Sequence, residues 1–108
     1  VDVYEREEMR FAIKELAEAL SGRLRRRRLR GRSVTLKVRY PDFQTITRSQ
    51  TQSAYLDQAE SILERAMDLL GRTEAETRGV RLLGVVVSGF EEETAVQLDL
   101  FAGEDGNP

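Results

Sequence analysis

The spacing of apolar residues changes period twice along this chain, and that change restricts the fold more than any other feature. Over residues 7–28, Met9, Ala12, Ile13, Leu16, Ala17, Leu20 and Leu24 recur at three- and four-residue steps, which lines one face of an amphipathic helix. Over residues 33–40 the period drops to two. Val34, Leu36, Val38 and Tyr40 alternate with Ser33, Thr35, Lys37 and Arg39, the pattern of a strand with one buried and one polar side. Pro41-Asp42 is a turn signal, and residues 43–49, with β-branched Thr45, Ile46 and Thr47, complete a hairpin. A polar stretch, residues 50–53, then leads to a second helix over residues 54–70. Its apolar positions include Tyr55, Ala59, Ile62, Leu63, Ala66, Leu69 and Leu70. Residues 72–79 read as a polar connection, and the Val- and Leu-rich residues 80–90 read as a buried strand.

Helix, strand, strand, helix, strand predicts an α+β domain with a split βαβ-like layout. Its sheet, antiparallel or mixed, has three to four strands, with two helices on one face. The fourth strand belongs ahead of the first helix, where residues 1–4 supply a stub. Gly31 and Gly71 are the expected helix stops. The chain starts with Val1 rather than methionine and reads as a fragment, in which the opening strand of such a layout is reduced to that stub.

At 108 residues, about two fifths apolar and a third charged, the chain fits one domain with a modest core. Cysteine and histidine are absent, which excludes disulfides, Cys/His zinc sites, thiol nucleophiles and Ser-His catalysis together. The longest apolar run, residues 82–87, is too short to span a bilayer, and no signal pattern opens the chain. A cytoplasmic protein without membrane partners is expected. The net charge of −2 hides an uneven distribution. Arg23, Arg25, Arg26, Arg27, Arg28, Arg30 and Arg32 crowd one stretch, whereas acids gather at Glu5, Glu7 and Glu8, at residues 91–93, and at Glu104 and Asp105. Screening over roughly 8–10 Å makes such local charge count for more than the total.

Three stretches carry a family resemblance. They are Leu29-Arg-Gly-Arg-Ser-Val-Thr-Leu-Lys-Val-Arg-Tyr40 with Asp42-Phe43 and Thr45-Ile-Thr-Arg-Ser49; Val80-Arg-Leu-Leu-Gly-Val-Val-Val-Ser-Gly89; and Gln97-Leu-Asp-Leu-Phe101. In order and spacing they resemble the little finger, the C-terminal DNA-gripping domain, of bacterial Y-family translesion DNA polymerases of the polymerase IV type.

The resemblance implies a DNA-binding domain over residues 1–90 and a flexible tail over residues 91–108. The helix-free sheet face would lie against duplex DNA, beside the polymerase core of the same parent protein. The residues expected to contact DNA are Thr35, Lys37, Arg39, Thr47 and Arg48 on the hairpin and Arg81 on the last strand. Holding duplex of any sequence calls for phosphate contacts from such side chains. A solvated strand face accounts for the same alternation without DNA. Leu82, Val86 and Ser88 share that face, and family members often carry a basic residue where Val86 stands.

Gln97-Leu-Asp-Leu-Phe101 resembles the bacterial sliding-clamp peptide. Gln97 would take a polar subsite, and Leu98, Leu100 and Phe101 would bury apolar surface. No residue pair has the spacing or setting of a catalytic site, so the chain on its own is not expected to be an enzyme or to hold a cofactor. The Mg²⁺ of the parent polymerase would lie in its missing palm. The Arg25–Arg28 run is open to two readings, a solvated helix end or a surface that reaches phosphates or the polymerase core. The alternative function is a small RNA-binding or protein-interaction adaptor with a split-βαβ fold. It lacks the aromatic sheet motif of RNA-recognition domains, since the hairpin's aromatics are Tyr40 and Phe43 at its turn.

Overall fold

The computed structural model describes residues 2–91. Its first element is α1, Arg6–Arg26, which buries Met9, Ile13, Ala17, Ser21 and Leu24 as one stripe. Gly31 was the expected stop, but the helix ends earlier. Arg28 adopts a left-handed φ of 56°. The Leu29 N–H donates to the Leu24 carbonyl at 2.8 Å and the Arg28 N–H to the Arg25 carbonyl at 3.2 Å. This is the Schellman pairing, and buried Leu24 and Leu29 supply its usual apolar contact. Gly31 serves a different purpose: a Cβ there would stand 2.5 Å from the Ser88 carbonyl oxygen and 2.7 Å from a Val87 methyl.

Gly31 opens β1, Gly31–Arg39, the central strand of a three-stranded antiparallel sheet. On one side it pairs with β2, Thr45–Leu56. On the other it pairs with β3, Leu82–Phe90. The hairpin turn is Pro41-Asp42-Phe43, closed by the Phe43 N–H on the Tyr40 carbonyl and the Tyr40 N–H on the Gln44 carbonyl, both 2.8 Å. Phe43 takes φ 74° there, where three-residue hairpin loops normally place glycine.

The second helix starts later than its periodicity indicates. Residues 54–56 belong to β2, and α2 is Ala59–Leu70. Leu56 pairs with Gly31 after a register shift and is buried, so strand pairing overrides the helical spacing of Tyr55. Ser21 fixes this junction by donating to the Asp57 carbonyl at 2.6 Å. Within the expected polar connection lies a one-turn helix, α3, Ala75–Arg78. Thr73 prepares its start, because the hydroxyl donates to the Leu70 carbonyl at 2.7 Å and accepts from the Ala75 N–H at 3.1 Å.

Both long helices cover one sheet face, where Val34, Leu36, Val38 and Tyr40 are buried against Ile13, Ile62 and Leu69 in one core. The α+β split-βαβ reading therefore holds, with three strands. The opening stub is present as an isolated antiparallel bridge, Val3 to Val80.

Candidate nucleic-acid interface

The other sheet face is open, and the register defines its rows. Ser33, Thr35, Lys37 and Arg39 on β1 stand opposite Thr51, Ser49, Thr47 and Thr45 on β2. On the other side they stand opposite Ser88, Val86, Gly84 and Leu82 on β3. None of these positions carries an acid. The hydroxyls are joined across the strands: Ser33 Oγ to Thr51 Oγ1 at 2.6 Å and Thr35 Oγ1 to Ser49 Oγ at 2.7 Å. Two hydroxyls in a pair hold two protons and use one between them, so each pair retains an O–H donor for an outside acceptor. Arg39 spends Nε on the Thr45 hydroxyl at 2.9 Å, which fixes the guanidinium and leaves its terminal nitrogens without a protein partner among the described residues. Lys37 lies exposed between Thr47 and Gly84, and no carboxylate pairs with it among the described residues.

The structure brings Thr35, Lys37, Arg39 and Thr47 onto this one face. Arg48 lies elsewhere. It pairs with buried Leu36, so its side chain leaves β2 on the helix side, where Arg48 Nη1 donates to the Thr47 carbonyl at 2.9 Å. Arg81 also differs from its expected place. It precedes β3, its N–H donates to the Arg39 carbonyl at 2.7 Å, and its guanidinium lies 4.4 Å from the Phe43 ring centroid. Asp2 offsets part of its charge at 3.5 Å.

Ser33, Thr45, Ser49 and Thr51 belong to the face and were not among the expected contacts. The signal was available, because Thr45, Thr47, Ser49 and Thr51 form a period-two hydroxyl series that excludes the even-numbered Arg48. The β3 edge of the face is apolar, as the alternation of Leu82 and Val86 predicts. Leu82 is 42% and Val86 54% exposed, and Val86 stands directly beside Thr35. Gln97, Leu98, Leu100 and Phe101 lie outside the described residues.

Among the described residues no group of three or more His, Cys, Asp or Glu side chains is placed to hold a metal ion. No described helix is long and apolar enough to cross a membrane.

These features define a class of module: an α+β domain with one sheet face sealed by helices and the other left open, hydroxylated and free of acids. A sequence model of the impB/mucB/samB family C-terminal domain matches residues 1–100, and the chain belongs to that family. Its relatives include the DNA polymerase IV of Streptomyces coelicolor, 42% identical over 107 residues that make up 99% of this chain and 22% of that protein. The DNA polymerase IV of Alkalilimnicola ehrlichii is 47% identical over 97 residues, 87% of this chain and 27% of that protein. The chain thus spans about a quarter of the length of these relatives. The fold matches a chain from a solved complex of a beta-clamp processivity factor and the little finger domain of PolIV. The TM-score is 0.65 at 23% identity, with 83% of this chain and 80% of that one covered.

Proposed function

We propose that this chain is the DNA-gripping and clamp-recruiting module of an error-prone translesion polymerase of the polymerase IV type. Residues 1–90 hold duplex DNA, and residues 91–108 carry the clamp ligand. The open face carries the reading. Lys37 and Arg39 supply charge, Arg39 is oriented by Thr45, and the hydroxyl pairs supply neutral donors. No acid on the face repels phosphate. Such a set reads the backbone and not the bases, which suits an enzyme that must hold distorted duplex of any sequence.

The clamp assignment rests on Gln97-Leu-Asp-Leu-Phe101 and on the structural relative solved with a beta clamp. Nucleotidyl transfer and its Mg²⁺ belong to the rest of the longer relatives, with the polymerase core as an intramolecular partner. This chain contributes grip and recruitment and holds no cofactor of its own.

The test is binding to a labelled duplex of roughly 20 base pairs across a salt series, by fluorescence anisotropy. The Lys37→Ala/Arg39→Ala variant should flatten the slope of log K against log salt by about 1.8, roughly 0.9 per lost phosphate contact. A preference for single-stranded RNA, or salt-independent binding, would sink the DNA reading in favour of an RNA-binding or adaptor module.

A further inference from the structure

The open face accounts for Lys37 and Arg39 but not for the densest charge in the chain, seven arginines between Arg23 and Arg32. All seven are exposed in the fold. A helix C-terminus favours one or two cations through its dipole. Like charges three and four residues apart on a helix repel each other, as Arg23 and Arg26 must, so helix capping does not account for the cluster. Arg30 is offset by an acid. It pairs with Glu91, and that hydrogen bond and charge push its pKa above the ordinary value. Arg25, Arg26 and Arg28 have no carboxylate partner among the described residues.

Two features place this cluster at the end of the sheet opposite the hairpin turn. β1 begins at Gly31, and the Glu91 N–H still donates to the Arg30 carbonyl at 3.3 Å, so the sheet's pairing continues into the cluster. Arg32 precedes Ser33, the first open-face residue, and its guanidinium lies 5.6 Å from the Tyr55 ring centroid. The left-handed turn at Arg28 then brings the last turn of α1 to the same end of the sheet. From Arg30 to Arg39 the strand covers roughly 30 Å at 3.3 Å per residue, close to the rise of nine base pairs at about 3.4 Å each.

We propose that Arg25, Arg26, Arg28 and Arg32 form a second phosphate-binding surface, which takes the backbone of the same duplex beyond the segment held on the sheet face. This rests on the DNA-gripping reading, and it extends the footprint to the end of the domain opposite the hairpin turn. The contacts are electrostatic and independent of base sequence.

The experiment measures anisotropy of a labelled duplex of roughly 20 base pairs across a salt series for four proteins. They are the wild type, Lys37→Ala/Arg39→Ala, an Arg25→Gln/Arg26→Gln/Arg28→Gln/Arg32→Gln variant, and the same four positions changed to lysine. Circular dichroism and thermal melting verify the fold of each. The glutamine variant should flatten the salt slope by about 2 to 4, from two to four lost phosphate contacts. The lysine variant should keep the wild-type slope within about 0.5, because charge alone is required. A folded glutamine variant with the wild-type slope overturns the second surface while leaving the sheet face standing. Loss in the lysine variant equal to that in the glutamine variant also overturns it, since backbone charge reading does not distinguish the two. If Lys37→Ala/Arg39→Ala binds as wild type while the glutamine variant fails, the sheet-face reading falls and the arginine surface remains.

Discussion

The Tyr40 hydroxyl accepts the Glu74 backbone N–H at 3.0 Å, tying the end of the central strand to the entry of α3. Tyr40 is 2% exposed, so its ring belongs to the core while its oxygen supports a loop. Arg78 lies 3.8 Å from the centroid of the same ring, and pairs with Asp42 at 2.9 Å and Glu74 at 3.2 Å. The hairpin turn and the α3 turn are thus held to one aromatic side chain.

Tyr40→Phe isolates the hydroxyl, because the ring and its contact with Arg78 remain. A net hydrogen bond contributes about 0.5–1.5 kcal/mol, and a donor left unsatisfied costs about 1–3 kcal/mol. Since the bond is partly buried, the loss should fall between these, at about 1–2 kcal/mol. Urea unfolding should show a lower midpoint at unchanged m-value. A midpoint equal to wild type would mean that the Tyr40–Glu74 bond adds nothing to stability.

Arg28 sits at the left-handed position of the α1 Schellman turn, where a Cβ is disfavoured and glycine is not. Arg28→Gly should therefore raise stability by about 1 kcal/mol, the lower end of the cost of a left-handed L-residue, while Arg28→Ala, which keeps the Cβ, should not. For a domain of this size a change of 1 kcal/mol moves the melting temperature by roughly 4–8 °C, so calorimetry resolves the pair. Equal melting temperatures for the glycine and alanine variants would remove backbone strain as the cause.

This turn also marks where sequence reading met its limit. Apolar periodicity located α1 and the buried side of β1, because burial and period express the same constraint. The Val- and Leu-rich residues 80–90 read as a buried strand, but β3 is an edge strand on which Val87 alone is buried. The sequence pattern placed the helix stop at Gly31, since glycine is the usual left-handed residue, and could not foresee an arginine accepting that conformation. Residues 54–56 failed for a related reason: Tyr55 fits either a helical or a strand pattern, and long-range pairing of Leu56 with Gly31 decided between them. At the candidate site, Thr35, Lys37, Arg39 and Thr47 were legible from alternation. Arg48 carries the charge expected of a phosphate contact, but its parity on β2 puts it on the side of buried Leu36. The α3 turn has no sequence signal of comparable strength, since its order comes from Thr73 and from a distant Tyr40.

Parity yields a direct test of the face. Lys37→Ala should flatten the salt slope of duplex binding by about 0.9, and Val86→Arg, which adds a cation beside Thr35, should steepen it by about as much and tighten binding at low salt. Arg48→Ala should change the slope by less than half that amount, since Arg48 lies on the opposite side of β2. Anisotropy across a salt series measures all three. An Arg48→Ala effect as large as that of Lys37→Ala would move the DNA from the open face to the β2 edge.

The clamp motif should be separable from the grip. Leu100 and Phe101 are apolar anchors, each worth roughly 1.5–3 kcal/mol when fully buried, before the cost of ordering a short peptide is subtracted. Calorimetry against a bacterial sliding clamp should give binding in the micromolar range for the wild type. Leu100→Ala/Phe101→Ala should lower affinity by at least about 100-fold, the equivalent of roughly 2.7 kcal/mol. The same variant should bind duplex DNA as wild type, because the two substitutions leave Lys37, Arg39 and the hydroxyl pairs unchanged. Loss of DNA binding in that variant would tie residues 97–101 to the grip itself. Full retention of clamp binding would remove Leu100 and Phe101 as the anchors and leave recruitment to another surface of the domain.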